Sequence, residues 1–147
     1  MNQLAYGHRL LIGDVLAVAA FVVVGQYSHN MTAMANAALR AVEQIAAIGL
    51  PFMLLAWLLG AYPAHRPATW AKVGRLLLRS TLAFLYAAPA GLFIRAWLLG
   101  QPTVLLAFAG VALLFSAMFV LGWRVIFAVV GVALSKRRPQ RWKEPMA

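Results

Sequence analysis

The chain has 147 residues, of which 64% are hydrophobic and 11% are charged, whereas soluble domains carry about 25% charged residues. Its formal net charge is +10, but the basic residues lie between and after apolar stretches and are not interleaved with base-stacking aromatics, which argues against nucleic acid as a partner. The absence of cysteine excludes disulfides, iron–sulfur clusters and thiolate metal sites. Composition therefore predicts a single-domain, all-α integral membrane protein.

The first predicted element is an apolar helix over residues 10–27. It is long enough to cross a bilayer, because a hydrocarbon core of about 30 Å needs about 20 mostly apolar residues. Asp14 interrupts this run near its start. A secretory signal is the alternative interpretation, but an acid in its apolar region would be costly and the run stays apolar past Ala19. We therefore expect a retained first helix, followed over residues 28–40 by a loop with an interfacial helical turn.

Two further spans are predicted over residues 41–62 and 76–99. Each contains one proline, Pro51 in the second span and Pro89 in the third. Each proline should kink its helix, because it removes a backbone donor. Residues 62–67 are rich in turn-forming residues, and residues 100–102 predict a tight connection. Such a short connection makes the last two spans antiparallel neighbours.

The last apolar run, residues 104–134, is longer than one untilted span requires. Trp123 and Arg124 are typical of a membrane interface, which predicts a fourth span over residues 104–124. Residues 125–134 are then a protruding extension, a tilted continuation or a helix on the membrane surface. A four-helix transmembrane domain over residues 1–135 and a basic tail over residues 136–147 are the expected organisation.

The distribution of basic residues predicts the orientation of the helices, because Lys and Arg concentrate in cytoplasmic segments. One side of the predicted bundle holds most of this charge: Arg9, Arg66, Lys72, Arg75 and the tail from Lys136 onward. The opposite side offers only Arg40 and the nearby Arg95. We therefore expect both termini in the cytoplasm and the protein in the inner (plasma) membrane.

Charged residues inside the spans are expected to form two layers of ion pairs. Asp14, Arg79 and Arg124 fall at one level of the predicted bundle, so Asp14 should pair with Arg79 or with Arg124. Glu43 and Arg95 fall at the other level and should pair there. An ionisable group in hydrocarbon usually faces the bundle interior and has a partner. These pairs either fasten the bundle, or Asp14 or Glu43 takes up a proton or cation during transport.

No pattern of catalytic or cofactor-binding residues is present. His8, His29 and His65 all fall in flanks or loops, and neither a HxxxH nor a HExxH spacing occurs. No serine, histidine and acid constellation and no phosphate-cradling glycine motif is found. We therefore expect a non-enzymatic protein without cofactor or metal.

Each predicted span contains one short motif. In chain order they are Gly13-Asp14-Val15, Leu50-Pro51-Phe52, Ala88-Pro89-Ala90-Gly91 and Gly122-Trp123-Arg124. Together they resemble a family of small bacterial and archaeal membrane proteins of unknown function, over residues 9–127. The resemblance implies a four-helix membrane architecture. It points to Asp14, Pro51, Pro89 and Arg124 as positions to test, and it implies no activity.

Two functions are compatible with these observations. Small residues over 17–20 and 87–91 allow close helix contact in lipid, and the middle of every span is apolar. This favours an accessory or assembly subunit of a larger inner-membrane complex, respiratory or photosynthetic, that contacts other subunits or its own copies. The alternative is a small oligomeric transporter or channel that uses Asp14 or Glu43 as its coupling acid.

The basic tail has its own two interpretations. Its basic residues are predicted to contact anionic lipids, since each cation near an anionic surface contributes about 1 kcal/mol; they are Lys136, Arg137, Arg138, Arg141 and Lys143. The tail otherwise serves as a topology anchor.

Overall fold

The structure, a computed structural model, describes residues 5–33, 35–98, 100 and 106–136. Within these ranges the chain forms four long helices: α1 (Ala5–Ser28), α2 (Ala37–Leu58), α3 (Trp70–Leu98) and α4 (Leu106–Lys136). All four are long and apolar enough to cross a membrane. The predicted all-α, four-helix membrane fold is therefore confirmed.

The four helices pack as a bundle in which each helix has two neighbours. α1 packs against α2 and α4, and α3 packs against the same two helices. In the described part of the chain, α1 and α3 face each other across one diagonal, and α2 and α4 across the other. The first half of α1 lies beside the second half of α4, because Asp14 contacts Arg124. The bundle therefore has one end where α1 and α3 begin and another where they finish.

The helices extend beyond the predicted spans at most of their ends. α1 begins at Ala5 and α3 at Trp70, before the predicted starts at residues 10 and 76, because polar residues outside the hydrocarbon still form helical backbone bonds. At the start of α3, Thr69 caps the helix: its hydroxyl oxygen accepts a hydrogen bond from the Lys72 amide at 3.4 Å. The expected helical turn between the first two spans is a 3₁₀ turn over Met31–Ala33.

α2 ends at Leu58, before the predicted end at residue 62, and Tyr62 lies in the connection to α3. Gly60 has a φ of 66°, a left-handed conformation that favours glycine and stops a helix. The Gly60 amide donates to the Trp57 carbonyl and the Ala61 amide to the Ala56 carbonyl, which is a Schellman motif. This early stop brings the residues after Gly60 back over the end of the bundle.

α4 is one helix from Leu106 to Lys136, so residues 125–134 belong to the fourth helix and do not form a separate surface helix. One face of this extension is buried, with Ala128 and Val132 almost fully covered. The Phe127 ring lies 4.9 Å from the Tyr6 ring of α1, centroid to centroid. The first turns of α1 therefore pack against this extension of α4.

Pro51 and Pro89 both lie inside continuous helices, α2 and α3 respectively. Pro51 has no amide hydrogen to donate to the Ala47 carbonyl one turn earlier. Gly91 of α3 lies against that carbonyl: a Cβ placed on Gly91 would be 2.9 Å from the Ala47 oxygen and 3.1 Å from the Ile48 Cα. Gly91, in the motif of α3, therefore packs closely against the backbone of α2 one turn before Pro51.

Gly91→Ala is expected to lower the free energy of unfolding by about 1–3 kcal/mol. The new methyl group would meet backbone atoms of α2, which cannot move aside as a flexible side chain can. Gly74→Ala is the matched control on the same helix, since a Cβ there meets nothing within 4 Å. Unfolding in detergent micelles measures both variants. Equal stability of the two would contradict the close approach of α3 to α2.

Candidate functional site: a buried charge cluster

The centre of the site is an ion pair between α1 and α4. Asp14 and Arg124 both have side chains that are 0% exposed. The guanidinium binds the carboxylate through two parallel hydrogen bonds, Nε to Oδ1 at 2.9 Å and Nη2 to Oδ2 at 2.6 Å. Bidentate pairs of this kind are the strongest and most directional ion pairs in proteins. The pair ties the first half of α1 to the second half of α4.

The second terminal nitrogen of Arg124 binds the other side of the bundle. Nη1 donates to the Ser80 hydroxyl of α3 at 2.7 Å and to the Ala61 carbonyl at 3.2 Å. Ser80 in turn donates to the Leu76 carbonyl at 2.7 Å. The Ala61 carbonyl is available because the Schellman motif that ends α2 leaves it facing the bundle. One arginine therefore joins three helices and the connection between α2 and α3.

Tyr62 completes the cluster from that connection. Its hydroxyl donates to Asp14 Oδ2 at 2.6 Å. The Arg124 Cζ lies 4.7 Å from the centre of the Tyr62 ring and 5.0 Å from that of Phe52, within the range of cation–π attraction. We call Asp14, Arg124, Tyr62, Ser80 and the Ala61 carbonyl the charge cluster.

The Tyr62 hydroxyl remains a donor over the physiological pH range. Burial raises its pKa above the ordinary value, and the negative charge of Asp14 raises it further. An unfolded tyrosine ionises near pH 10. The contribution of this hydroxyl to stability is therefore complete below about pH 10 and declines as the pH rises above that value.

Tyr62→Phe is expected to lower the free energy of unfolding by about 1.5–3 kcal/mol, the usual contribution of a hydrogen bond to a charged group. The ring stays over Arg124, so the variant isolates the bond to Asp14. Tyr86→Phe is the matched control, since Tyr86 is 72% exposed. Denaturant titration in detergent compares the two. A loss no larger for Tyr62→Phe than for Tyr86→Phe would show that the bond to Asp14 contributes nothing.

A glycine and a tryptophan next to the two charges fix how closely α1 and α4 approach. A Cβ placed on Gly13 would overlap the indole of Trp123. Trp123 continues an aromatic row, because its ring lies 5.0 Å from Phe127, centroid to centroid. The Gly13-Asp14 and Trp123-Arg124 pairs are thus complementary in shape as well as in charge.

Arg79, the other partner considered for Asp14, lies elsewhere. Its side chain is exposed, and Nη1 donates to the Gly60 carbonyl at 3.2 Å. Arg124 is the better placed of the two because α4 neighbours α1 directly, whereas α3 lies across the diagonal. Arg79 instead holds the turn that positions Ala61 and Tyr62.

The second expected ion pair, between Glu43 and Arg95, is not formed as predicted in the part of the chain that the structure describes. Glu43 and Arg95 are both half-buried, and among the described residues no ion pair joins them. The Arg95 Nε approaches the Gln44 Oε1 at 3.5 Å. Gln44 is buried, so helix phase places its amide, and not the carboxylate of its neighbour, toward α3. Glu43 and Gln44 are adjacent in sequence, so only their angular positions around the α2 axis decide which of them faces α3.

The remaining predicted contacts concern the basic tail. Lys136 is the last residue of α4, and Arg137, Arg138, Arg141 and Lys143 lie outside the described residues. The predicted contact of these five residues with anionic lipid stays a prediction.

Sequence reasoning missed three members of the charge cluster: Tyr62 as a donor, Ser80 and the Ala61 carbonyl. A signal for Ser80 exists, because a buried guanidinium needs acceptors for all its donors and Ser80 is a polar residue in the apolar stretch of α3. Tyr62 and Ala61 depend on where α2 ends, which periodicity alone does not show.

The charge cluster has no catalytic arrangement of nucleophile and base, and each of its polar groups already has a partner. Among the residues that the structure describes, no group of three or more histidine or acidic side chains could hold a metal ion. A groove of about 660 Å³ runs beside the cluster, lined by Tyr62, His8, His65 and Trp57 among others. Tyr62 is therefore the member of the charge cluster that borders this groove.

A family model described as a protein of unknown function (DUF3054) matches residues 11–127, which confirms the resemblance found in the sequence. Comparison with curated proteins and with solved structures gave no match.

Proposed function

Because the chain belongs to the DUF3054 family of unknown function, we propose its role from its own geometry. It is a non-enzymatic accessory or assembly subunit of a larger complex in the inner membrane, respiratory or photosynthetic. The observation that carries this proposal is the completeness of the charge cluster. Asp14 and Arg124 form an ion pair. Tyr62 donates a further hydrogen bond to Asp14, and Ser80 and Ala61 accept further hydrogen bonds from Arg124.

A complete cluster supports a fixed bundle more than a moving one. A carrier alternates between two packings, and its midplane usually contains broken helices and polar groups that bind the substrate. Here Arg124 contacts three helices at once, so separating any of them breaks contacts of a side chain that is fully buried. A fixed bundle offers its outer faces to lipid and to neighbouring helices, which is what an accessory subunit needs.

The orientation with both termini in the cytoplasm is part of the proposal. Five exposed basic side chains lie at the end of the bundle that holds the charge cluster, which supports that end as the cytoplasmic one; they are Arg9, Arg66, Lys72, Arg75 and Arg79.

The native chain contains no cysteine, so single cysteines report the orientation directly. His65→Cys and His29→Cys place one thiol at each end of the bundle, and both native histidines are exposed. A membrane-impermeant maleimide added to intact cells should label His29→Cys and leave His65→Cys unlabelled until the membrane is opened. The reverse pattern would place the charge cluster outside.

The subunit role is tested by extracting the tagged chain from native membranes with a mild detergent. Native gel separation and mass spectrometry then identify what migrates with it, and membranes from cells without the tag are the control. A companion chain at fixed stoichiometry is the expected result. A homogeneous small particle that contains only this chain would contradict the proposal.

A small oligomeric transporter is the second candidate, and the groove beside Tyr62 is the observation that favours it. The groove leads from the surface to the one side chain of the cluster that could relay a proton to Asp14. This function predicts pH-dependent flux in reconstituted vesicles that Asp14→Asn or Glu43→Gln abolishes. Unchanged flux in both variants would remove it.

A further inference from the structure

The end of the bundle opposite the charge cluster contains a second cavity. Side chains from all four helices line it, and its volume is about 480 Å³, which falls within the range of small-molecule sites. Its walls are mainly apolar: Phe21, Ile48, Leu92, Val111, Phe115 and Phe119. We call this space the distal cavity.

The polar side chains in the lining of the distal cavity are Gln26, Ser28, His29, Gln44 and Arg95. The Gln26 Nε2 donates to the Ala37 carbonyl at 3.3 Å. The Gln44 Oε1 accepts a long hydrogen bond from the Arg95 Nε at 3.5 Å, which leaves the Nε2 as the other terminal atom of the amide. Its Nε2 is buried and has no hydrogen-bond partner within the described part of the chain.

An unpartnered buried donor requires an explanation, because more than nine in ten buried polar groups have a partner. Gln44 is only 6% exposed, so its amide nitrogen is shielded from bulk water. The neighbouring Arg95 adds a positive charge to the lining. The group that fits this lining is therefore an acceptor with a negative charge.

We propose that the distal cavity binds an amphiphile that has an anionic head, a carboxylate or a phosphate, on a hydrocarbon chain. The head lies between Arg95 and the Gln44 amide, and the chain lies among the phenylalanines and branched aliphatic residues of α1, α3 and α4. Because the Gln44 Nε2 is itself buried, the head reaches it after the amide rotates about its last torsion, which has a broad energy profile. A free fatty acid and a membrane phospholipid both carry this chemistry.

The test uses the full chain in nanodiscs of zwitterionic phosphatidylcholine. One arm titrates oleate, a second replaces part of the lipid with phosphatidylglycerol, and a third titrates oleyl alcohol, which lacks the charge. Saturable ligand-dependent stabilisation against thermal unfolding reports binding to the folded state. Stabilisation by oleate alone identifies a fatty acid and stabilisation by phosphatidylglycerol alone identifies a phospholipid, and both support the site.

The variants separate binding at the distal cavity from general lipid effects. Arg95→Gln and Gln44→Leu are each expected to weaken the apparent Kd at least tenfold. Arg75→Gln removes an equal charge from the other end of the bundle, where Arg75 is exposed, and should leave the Kd unchanged. Gln44→Leu also removes the unpartnered donor, so its melting temperature without ligand should equal or exceed that of the native chain.

Three results would overturn the inference. One is no saturable stabilisation by either anionic amphiphile, which would leave the Gln44 nitrogen to an ordered water. The second is equal binding of oleyl alcohol, which would exclude recognition of charge. The third is an unchanged Kd in folded Gln44→Leu and Arg95→Gln proteins, which would place the binding elsewhere.

Discussion

Asp14→Asn is expected to lower the free energy of unfolding by about 3–5 kcal/mol, because it leaves the Arg124 charge buried without its counter-charge. Both side chains of the native pair are 0% exposed, so water cannot replace the lost partner. Arg124→Gln should lower the free energy of unfolding by a similar amount, since it leaves the Asp14 carboxylate buried without its counter-charge. Denaturant titration in detergent micelles, followed by tryptophan fluorescence, measures both variants.

Glu43→Gln is the control for this prediction, because it makes the same chemical change at a half-buried acid of α2. Its expected cost is below about 1 kcal/mol. Arg124→Lys gives a second check: the charge remains, but an ammonium cannot make the two-pronged contact with Asp14 and also reach Ser80 and Ala61. A loss for Asp14→Asn no larger than for Glu43→Gln would show that the buried pair does not stabilise the bundle.

Gly13→Ala is expected to be the most damaging of the glycine-to-alanine changes in α1, with a loss of at least about 1–3 kcal/mol. The added methyl group overlaps the Trp123 indole, so α1 and α4 must separate and the bond between Asp14 and Arg124 must lengthen. Gly25→Ala is the control on the same helix, since a Cβ there meets nothing within 4 Å. It should be neutral or slightly stabilising.

A second-site change tests the cause of this loss. Replacing Trp123 by Leu in the Gly13→Ala protein makes room for the methyl group. The double variant should therefore lose less than the two single variants together, because neighbouring residues that share a contact are not additive. Additive losses would mean that Gly13 and Trp123 act separately.

The fold was predictable because membrane spans depend on apolar length, and each of the four runs is long enough to identify. The helix ends were less predictable, since they depend on local features such as the left-handed Gly60 and the Thr69 cap. Moving the end of α2 from residue 62 to Leu58 changes Tyr62 from a helix residue into a hydrogen-bond donor of the charge cluster.

The site was predictable at one of its two expected layers. Counting depth along the spans placed Asp14, Arg79 and Arg124 at one level, but depth does not show which helices are neighbours. Asp14 pairs with Arg124 and not with Arg79, because α4 packs directly against α1 in the bundle. At the other layer a shift of one residue in helical phase gave Gln44, and not Glu43, the position facing Arg95. The distal cavity depends on the packing of all four helices, which no periodicity in one segment reveals.

The most direct test of the central claim, that the Asp14 and Arg124 pair fastens the bundle, is a double-mutant cycle. The stabilities of Asp14→Asn, Arg124→Gln and the double variant are compared with the native chain under one set of conditions. We predict that the double variant loses less than the sum of the single variants by about 2–3 kcal/mol, since the second change removes the group that the first left unpaired. A coupling energy near zero would contradict the claim, because the two charges would then contribute independently of each other.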